Sequence, residues 1–358
     1  MKFNSHGSAR TVWTPSKEVL MGRRWLKIFF IVYSLFHLLW LPSSLSAGEA
    51  APPAVRFAIS GLTAVDWPHF IGQEKKIFQQ NGILFEPIVI RGATNTTRAV
   101  LSETVPLGRI NPDYVISGIE KGAKARIIAG TMDKIPYDLV ARAEIKSGSD
   151  LKGKIIGVSS LTGGTTLMLQ EVMEKAFKLK ESDYKLLVVG TSPDRYAAIK
   201  GGSVQATFMG PPFNFRATKE GFIKLAAFYD ILGPIQFVTE FAHMNYLRSH
   251  RDEVVRYLKS FIQTIRWLYD PKNKEETIGI HMKFLKSQRA SAEIDYRFLI
   301  EELQAFPKDG SVSKVAMEKS MELRVKDGMY KGTRIPSYTE YVDSSFLEEA
   351  QRQLGLKQ

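Results

Sequence analysis

A chain of 358 residues with 49 Lys/Arg against 37 Asp/Glu carries a formal charge of +12, and 44% of it is hydrophobic. That length accommodates two domains with substantial cores, and the apolar fraction is that of an ordinary globular protein. The absence of cysteine excludes disulfides, thiolate metal ligands, thiol nucleophiles and a lipid-modified N-terminal cysteine.

Residues 1–20 are polar and patternless, as expected of a disordered or over-extended translation start. Met21 opens a second candidate start. Arg23, Arg24 and Lys27 form a basic region, Trp25–Leu41 an apolar run, and Pro42–Ala47 a small-residue stretch. These are the three parts of a secretory signal peptide over residues 21–47, cut after Ala47. An uncleaved anchor is the alternative, because the apolar run is near the short end of a membrane span, but Pro42 and the small residues favour cleavage. Residues 1–47 hold six Lys/Arg and one Glu, which leaves 43 basic and 36 acidic residues and a net charge of +7. The remaining charges interleave with acids, as in Glu253–Ser260, so they describe a solvated surface rather than a nucleic-acid stripe. The expectation is an exported soluble protein, which the resemblance given below makes periplasmic.

From Val55 onward, apolar runs predict strands at Val55–Ser60, Phe85–Ile90, Asp113–Ser117, Ala125–Gly130, Tyr137–Ala143, Lys154–Ser159, Leu186–Gly190, Val204–Met209 and Ile223–Phe228. Helix-period stretches fall between several of them, at Pro68–Asn81, Asn95–Ser102, Thr165–Phe177 and Asp194–Lys200. Alternation of this kind predicts an α/β fold with mainly parallel sheets. After Tyr229 the strand signals fade, and Glu253–Tyr269, Lys274–Lys286, Ala292–Ala305 and Ser313–Lys326 predict a helical C-terminal part.

The loop Ser159–Thr166 joins an apolar run to a helix. It brings hydroxyls and free backbone N–H groups to a helix N-terminus, which favours a negative or hydrogen-bond-accepting ligand. Neither G-x-G-x-x-G nor G-K-[ST] is present there, so it is not a nucleotide fingerprint. Residues 89–100 also resemble residues 188–199: each is an apolar run, a Gly, a polar capping cluster and a helix. Two similar halves imply two lobes with a ligand cleft between them.

These segments resemble the periplasmic substrate-binding proteins of ABC importers, in the branch serving nitrate, sulfonates, taurine and thiamine-precursor pyrimidines. Residues 67–83 are similar to that family's first helix, and residues 137–154 to its crossover into the second lobe. Residues 197–206 are similar to its "aalxxGxvda" turn, and residues 341–346 to its terminal segment. Arg109 stands where the family commonly has an acidic residue. The resemblance implies a two-lobed binding protein of type II-like topology, with residues 54–141 and 235–358 in lobe 1 and residues 142–234 in lobe 2. It implies crossings near Ala141–Lys146 and Asp230–Thr239.

It also puts five loops at the cleft: Ser60 with Trp67; Thr94 and Asn95; Ser117 and Gly118; Thr162, Gly163, Gly164, Thr165 and Thr166; and Met209 with Phe213. Each has a plainer role, Trp67 as a core anchor and Thr94 and Asn95 as helix caps. No cofactor or metal is expected, since His69, His243, His250 and His281 lack metal-ligand spacing. The implied partners are a small polar, anionic or aromatic solute and an importer permease, with the protein a monomer. Two other readings stay open: a pyrimidine-modifying enzyme using His69 as base, and a sensing module for a membrane receptor.

Overall fold

The computed structural model describes residues 52–161, 163–326 and 337–357. The expected disordered start (1–20) and signal peptide (21–47) lie outside the described residues, as does Thr162.

Among the described residues, ten strands form two five-stranded sheets. The first holds β1 (Ala54–Ile59), β2 (Leu84–Val89), β3 (Leu107–Ile110), β4 (Ala125–Met132) and β10 (Val238–His243), in the order β2-β1-β3-β10-β4. The second holds β5 (Asp138–Ala141), β6 (Ile155–Val158), β7 (Lys185–Val188), β8 (Ala206–Met209) and β9 (Ile223–Ala227), in the order β7-β6-β8-β5-β9. Both sheets repeat one plan. Three parallel strands are followed by an antiparallel one, β10 or β5, which has just crossed from the other sheet. Helices pack around each sheet, so the chain is mixed α/β and two-lobed.

Seven helices position the functional parts: α1 (Trp67–Glu74), α2 (Ala93–Leu101), α3 (Pro112–Glu120), α4 (Gly164–Phe177), α5 (Ser192–Gly201), α6 (Arg251–Leu268) and α7 (Lys314–Lys326). The start of α3 carries a sequence signature. Asn111 is extended at the N-cap of α3, with Pro112 at its first position and Asp113 in its first turn. This overturns the strand expected at Asp113–Ser117. The β-prone Tyr114-Val115-Ile116 run is helical because the Asn-Pro-Asp signature precedes it. The strand of that region is β3, where Gly108 permits close packing: a Cβ there would meet Val100 at 2.9 Å and the Ala58 carbonyl at 3.1 Å.

Two segments join the sheets, Asp133–Tyr137 and Gly233–Phe237. Asp138–Ala141, expected on the lobe 1 side with a crossing after it, is instead strand β5 of the second sheet. The two segments are paired: Phe237 N–H donates to Met132 O at 2.9 Å and Ile235 N–H to Asp133 O at 3.1 Å. Between them Gln236 is fully buried, its Nε2 donating to Met132 O and Val238 O, each at 3.0 Å. Its Oε1 accepts the Ser313 N–H, which ties the start of α7 to the crossing.

Under the first sheet a buried polar network replaces part of the apolar core. Glu240 on β10 accepts from Tyr257 Oη at 2.6 Å and Thr131 Oγ1 at 2.8 Å, and His69 Nε2 lies 3.3 Å from it. Arg109 stands opposite Glu240 in the β3–β10 pairing and is ion-paired with Asp66. Rings of Phe57, Phe85 and Phe261 stack around His69. Burial, and then the Glu240 charge, push the Tyr257 phenol well above its usual range. Such a network is strongly destabilised by removing one member, because the others stay buried without partners. Tyr257→Phe is expected to cost about 1–2 kcal/mol of unfolding free energy. Glu240→Ala should cost roughly 3 kcal/mol. Urea unfolding midpoints check the order; equal losses would show that Glu240 is not the hub.

Candidate functional site

Parallel strands place their carboxyl ends along one edge of each sheet, and ligands of open α/β sheets bind beyond those ends. In the first sheet these ends lead into Ser60–Thr63, Ile90–Gly92 and Asn111; in the second, into Ser159–Gly163, Val189–Thr191 and Gly210–Pro212. The two edges meet. Gly164, first residue of α4, donates its N–H to Asp113 Oδ2 across the lobes at 3.1 Å. A cavity beside this contact is lined by Asp113, Ile116, Gly164, Met168, Gln236 and Arg324, among others.

The second lobe's loop is internally braced. Ser159 Oγ and Thr165 Oγ1 are 2.9 Å apart, and the buried Thr166 donates to Ser160 O at 2.6 Å. Gly163 is the N-cap of α4 and supplies no side chain to it. The carboxylate of Asp113 therefore serves as the acceptor there. Burial raises the Asp113 carboxyl above its ordinary range, against the opposing pull of the Gly164 N–H and then the Arg324 charge. Burial and then the Asp113 charge likewise raise the Tyr114 phenol, with the Ser160 hydroxyl opposing.

The tip of β1 is held from beneath. Thr63 N–H donates to Asp66 Oδ2 at 2.9 Å, and Arg109, paired with Asp66, reaches Gly61 O at 3.4 Å. Thr94 and Asn95 are exposed in the first turn of α2, whose Gly92 N-cap likewise provides no side-chain cap. Ser60 is half-buried at the end of β1, and Leu62 and Leu161 present apolar side chains, 50% and 56% exposed, on the loops after β1 and β6. Phe213 is half-buried, its ring 5.7 Å from Tyr196.

Four expected site residues are elsewhere. Trp67 is fully buried, donating Nε1–H to Thr277 O at 3.1 Å and packing on His281, so no face of the indole is left for a solute. Ser117 and Gly118 sit in the middle of α3 rather than at a strand end. Ser117 Oγ accepts from Arg324, and a Cβ on Gly118 would meet Leu101 at 2.6 Å. Met209 is fully buried in β8, where every position faces core. His69, the base imagined for an enzymatic reading, is enclosed in the Glu240 network.

Sequence reading missed Asp113, Tyr114, Gln236 and Arg324. The Asn111-Pro112-Asp113 start signal could have moved attention to Asp113. Nothing local marks Gln236 or Arg324. Arg195 was also missed: it is buried with no ion pair among the described residues, donating to Phe208 O at 2.7 Å, to Gly190 O and to Ser192 Oγ at 3.2 Å, which braces the ends of β7 and β8. Among the described residues, no cluster of three or more His, Asp or Glu could hold a metal.

The sequence pattern of the family described as "NMT1/THI5 like" matches residues 66–272. The chain belongs to the NMT1/THI5-like family. A protein of Brucella abortus (strain 2308) named as a binding protein is 24% identical over 249 residues, 68% of this chain and 76% of its own length. A ligand-binding component of an ABC-type import system from Staphylococcus aureus shares the fold with a TM-score of 0.69 at 13% identity, over 84% of this chain and 99% of its own. The alkanesulfonate-binding protein SsuA from Xanthomonas axonopodis pv. citri, solved with MOPS bound, does so with a TM-score of 0.63 at 16% identity, over 80% and 96%. At these identities the structural likeness is one of fold.

The raised Asp113 carboxyl has a pH consequence. A group whose pKa is raised on folding stabilises the folded chain below its unfolded pKa and loses that contribution as pH rises through the folded pKa. Asp113→Asn should therefore raise the melting temperature relative to the parent near pH 7, and the gap should close by about pH 3. Paired thermal melts across that range test it; a gap widest in acid contradicts the burial account.

Proposed function

We propose that this protein is the extracytoplasmic solute-binding component of an ABC importer. Two lobes close on a small polar or aromatic solute, without chemistry, and present the closed form to a permease. The observation that carries this reading is the pairing of two lobes of one topology, with strand ends and helix N-termini facing each other across the Asp113–Gly164 contact. Paired crossing segments of this kind allow hinge closure with little change inside either lobe. We assign solute contact to the tips: Ser60 and Leu62, Thr94 and Asn95 in the first lobe, and Leu161, Gly163, Thr165 and Phe213 in the second. We also propose a permease partner and a periplasmic location, which the importer components among the proteins of like fold and the leader read over residues 21–47 support. No helix among the described residues is long and apolar enough to cross a membrane.

A solute bound only by the folded chain stabilises it by mass action, about 2.7 kcal/mol at a hundred times its Kd. For a chain of this size that is a rise in melting temperature of roughly 4 °C. A thermal-shift panel of sulfonates, nitrate, pyrimidines, aromatic acids and amines should contain at least one such solute. The shift should shrink in Asn95→Ala or Thr165→Ala. A flat response across the panel, or turnover of a bound pyrimidine, counts against the proposal.

A further inference from the structure

The cleft contains an anion belonging to the chain itself. Asp113 is the second residue of α3 and its Oδ2 accepts the first N–H of α4 at 3.1 Å, so one carboxylate lies at the positive ends of two helices, one from each lobe. The fit is close: a Cβ on Gly164 would lie 2.8–3.1 Å from the carboxylate atoms. Arg324 completes the setting from α7. It is only 3% exposed, donates Nη1–H to Asp113 O at 3.3 Å, and donates Nη2–H to Ser117 Oγ at 3.1 Å and Glu120 Oε2 at 3.0 Å. Its Nε–H is buried without a partner among the described residues, and its side chain lines the same cavity as Asp113 and Gly164. Two helix N-termini and a guanidinium with one unpartnered N–H thus converge on the Asp113 carboxylate.

We propose that Asp113 is a specificity-determining residue: it acts as an internal oxyanion at the α4 N-terminus and keeps small oxyanions, such as carboxylates, sulfonates and sulfate, from binding there. This rests on the solute-binding reading above. An incoming anion must either displace the carboxylate from its N–H donor or sit beside it. Two like charges a few ångströms apart in a poorly solvated site repel strongly enough to weaken binding by tenfold or more. Solutes that leave this corner neutral escape the penalty. Glu120 adds no opening for an anion, since its carboxylate already faces Arg324.

Calorimetric titration of the mature chain with methanesulfonate, sulfate and the neutral base cytosine tests this. Asp113→Asn keeps the side-chain size and an oxygen for the Gly164 N–H while removing the charge; Asp113→Ala removes both. Either variant should bind methanesulfonate or sulfate at least about tenfold more tightly than the parent, and the ratio of anion to cytosine affinity should rise by at least the same factor. Circular dichroism confirms folding, and the second variant stands in if the first does not fold. If the parent binds methanesulfonate as tightly as the variants, or neither variant gains, the inference is overturned. Should another solute still bind the parent in that case, the solute-binding reading survives alone; if no probe binds any of the three proteins, both fall.

Discussion

Everything at the cleft depends on how the backbone crosses twice between the sheets. Had the two segments run separately, the lobes would be two beads on two strings. Instead Phe237 and Ile235 donate to Met132 and Asp133, and buried Gln236 bonds to both neighbours of the crossing and to the start of α7. Tyr137 then packs its ring among Phe208, Phe228 and Phe237. Closing a loop that returns beside its starting point has a chain-entropy cost, and pairing it with backbone and side-chain hydrogen bonds offsets that cost locally. The result is a narrow joint that fixes which edges of the sheets face each other.

The first lobe adds a second constraint. Burying Glu240, Arg109, Asp66, His69 and Tyr257 together is costly unless each polar atom finds a partner. The bonds found there link β10, which has just crossed, to β3, α1 and α6, and through Asp66 to the turn at Thr63. The tip of β1 is thus positioned by the same cluster that holds the returning strand. This is why Arg109, out of place by comparison with the family's usual acid, has a definite task here: it supports the loop from below rather than facing the cleft.

Much of the fold was legible because the strands that were found are β-branched or apolar runs between turn signals. The two strands that were not found explain the limit. β3 is only Leu-Gly-Arg-Ile, and β10 carries Glu240 and His243, so neither shows apolar alternation, yet every residue of both is buried. Their polar members are satisfied by partners distant in sequence, and no local pattern announces that. The site was legible in the same uneven way. The Gly/Thr loop declared itself as a helix start, whereas Trp67 looked like a ligand wall because its partners, Thr277 and His281, lie two hundred residues away.

The Asp113–Gly164 contact also says where closure must draw its energy. A carboxylate accepting a helix-terminal N–H near an arginine would ordinarily be held in its charged form, with its pKa lowered. Here burial outweighs both, and the carboxyl is raised. The polar bridge between the lobes is therefore poised rather than strongly favourable. The apolar side chains beside it, Ile116 and Leu323 on one side and Leu167 and Met168 on the other, contribute the non-directional part of the contact. Under the proposed solute-binding reading, Asp113, rather than the glycines opposite, stands where a solute and the protein would compete for one donor.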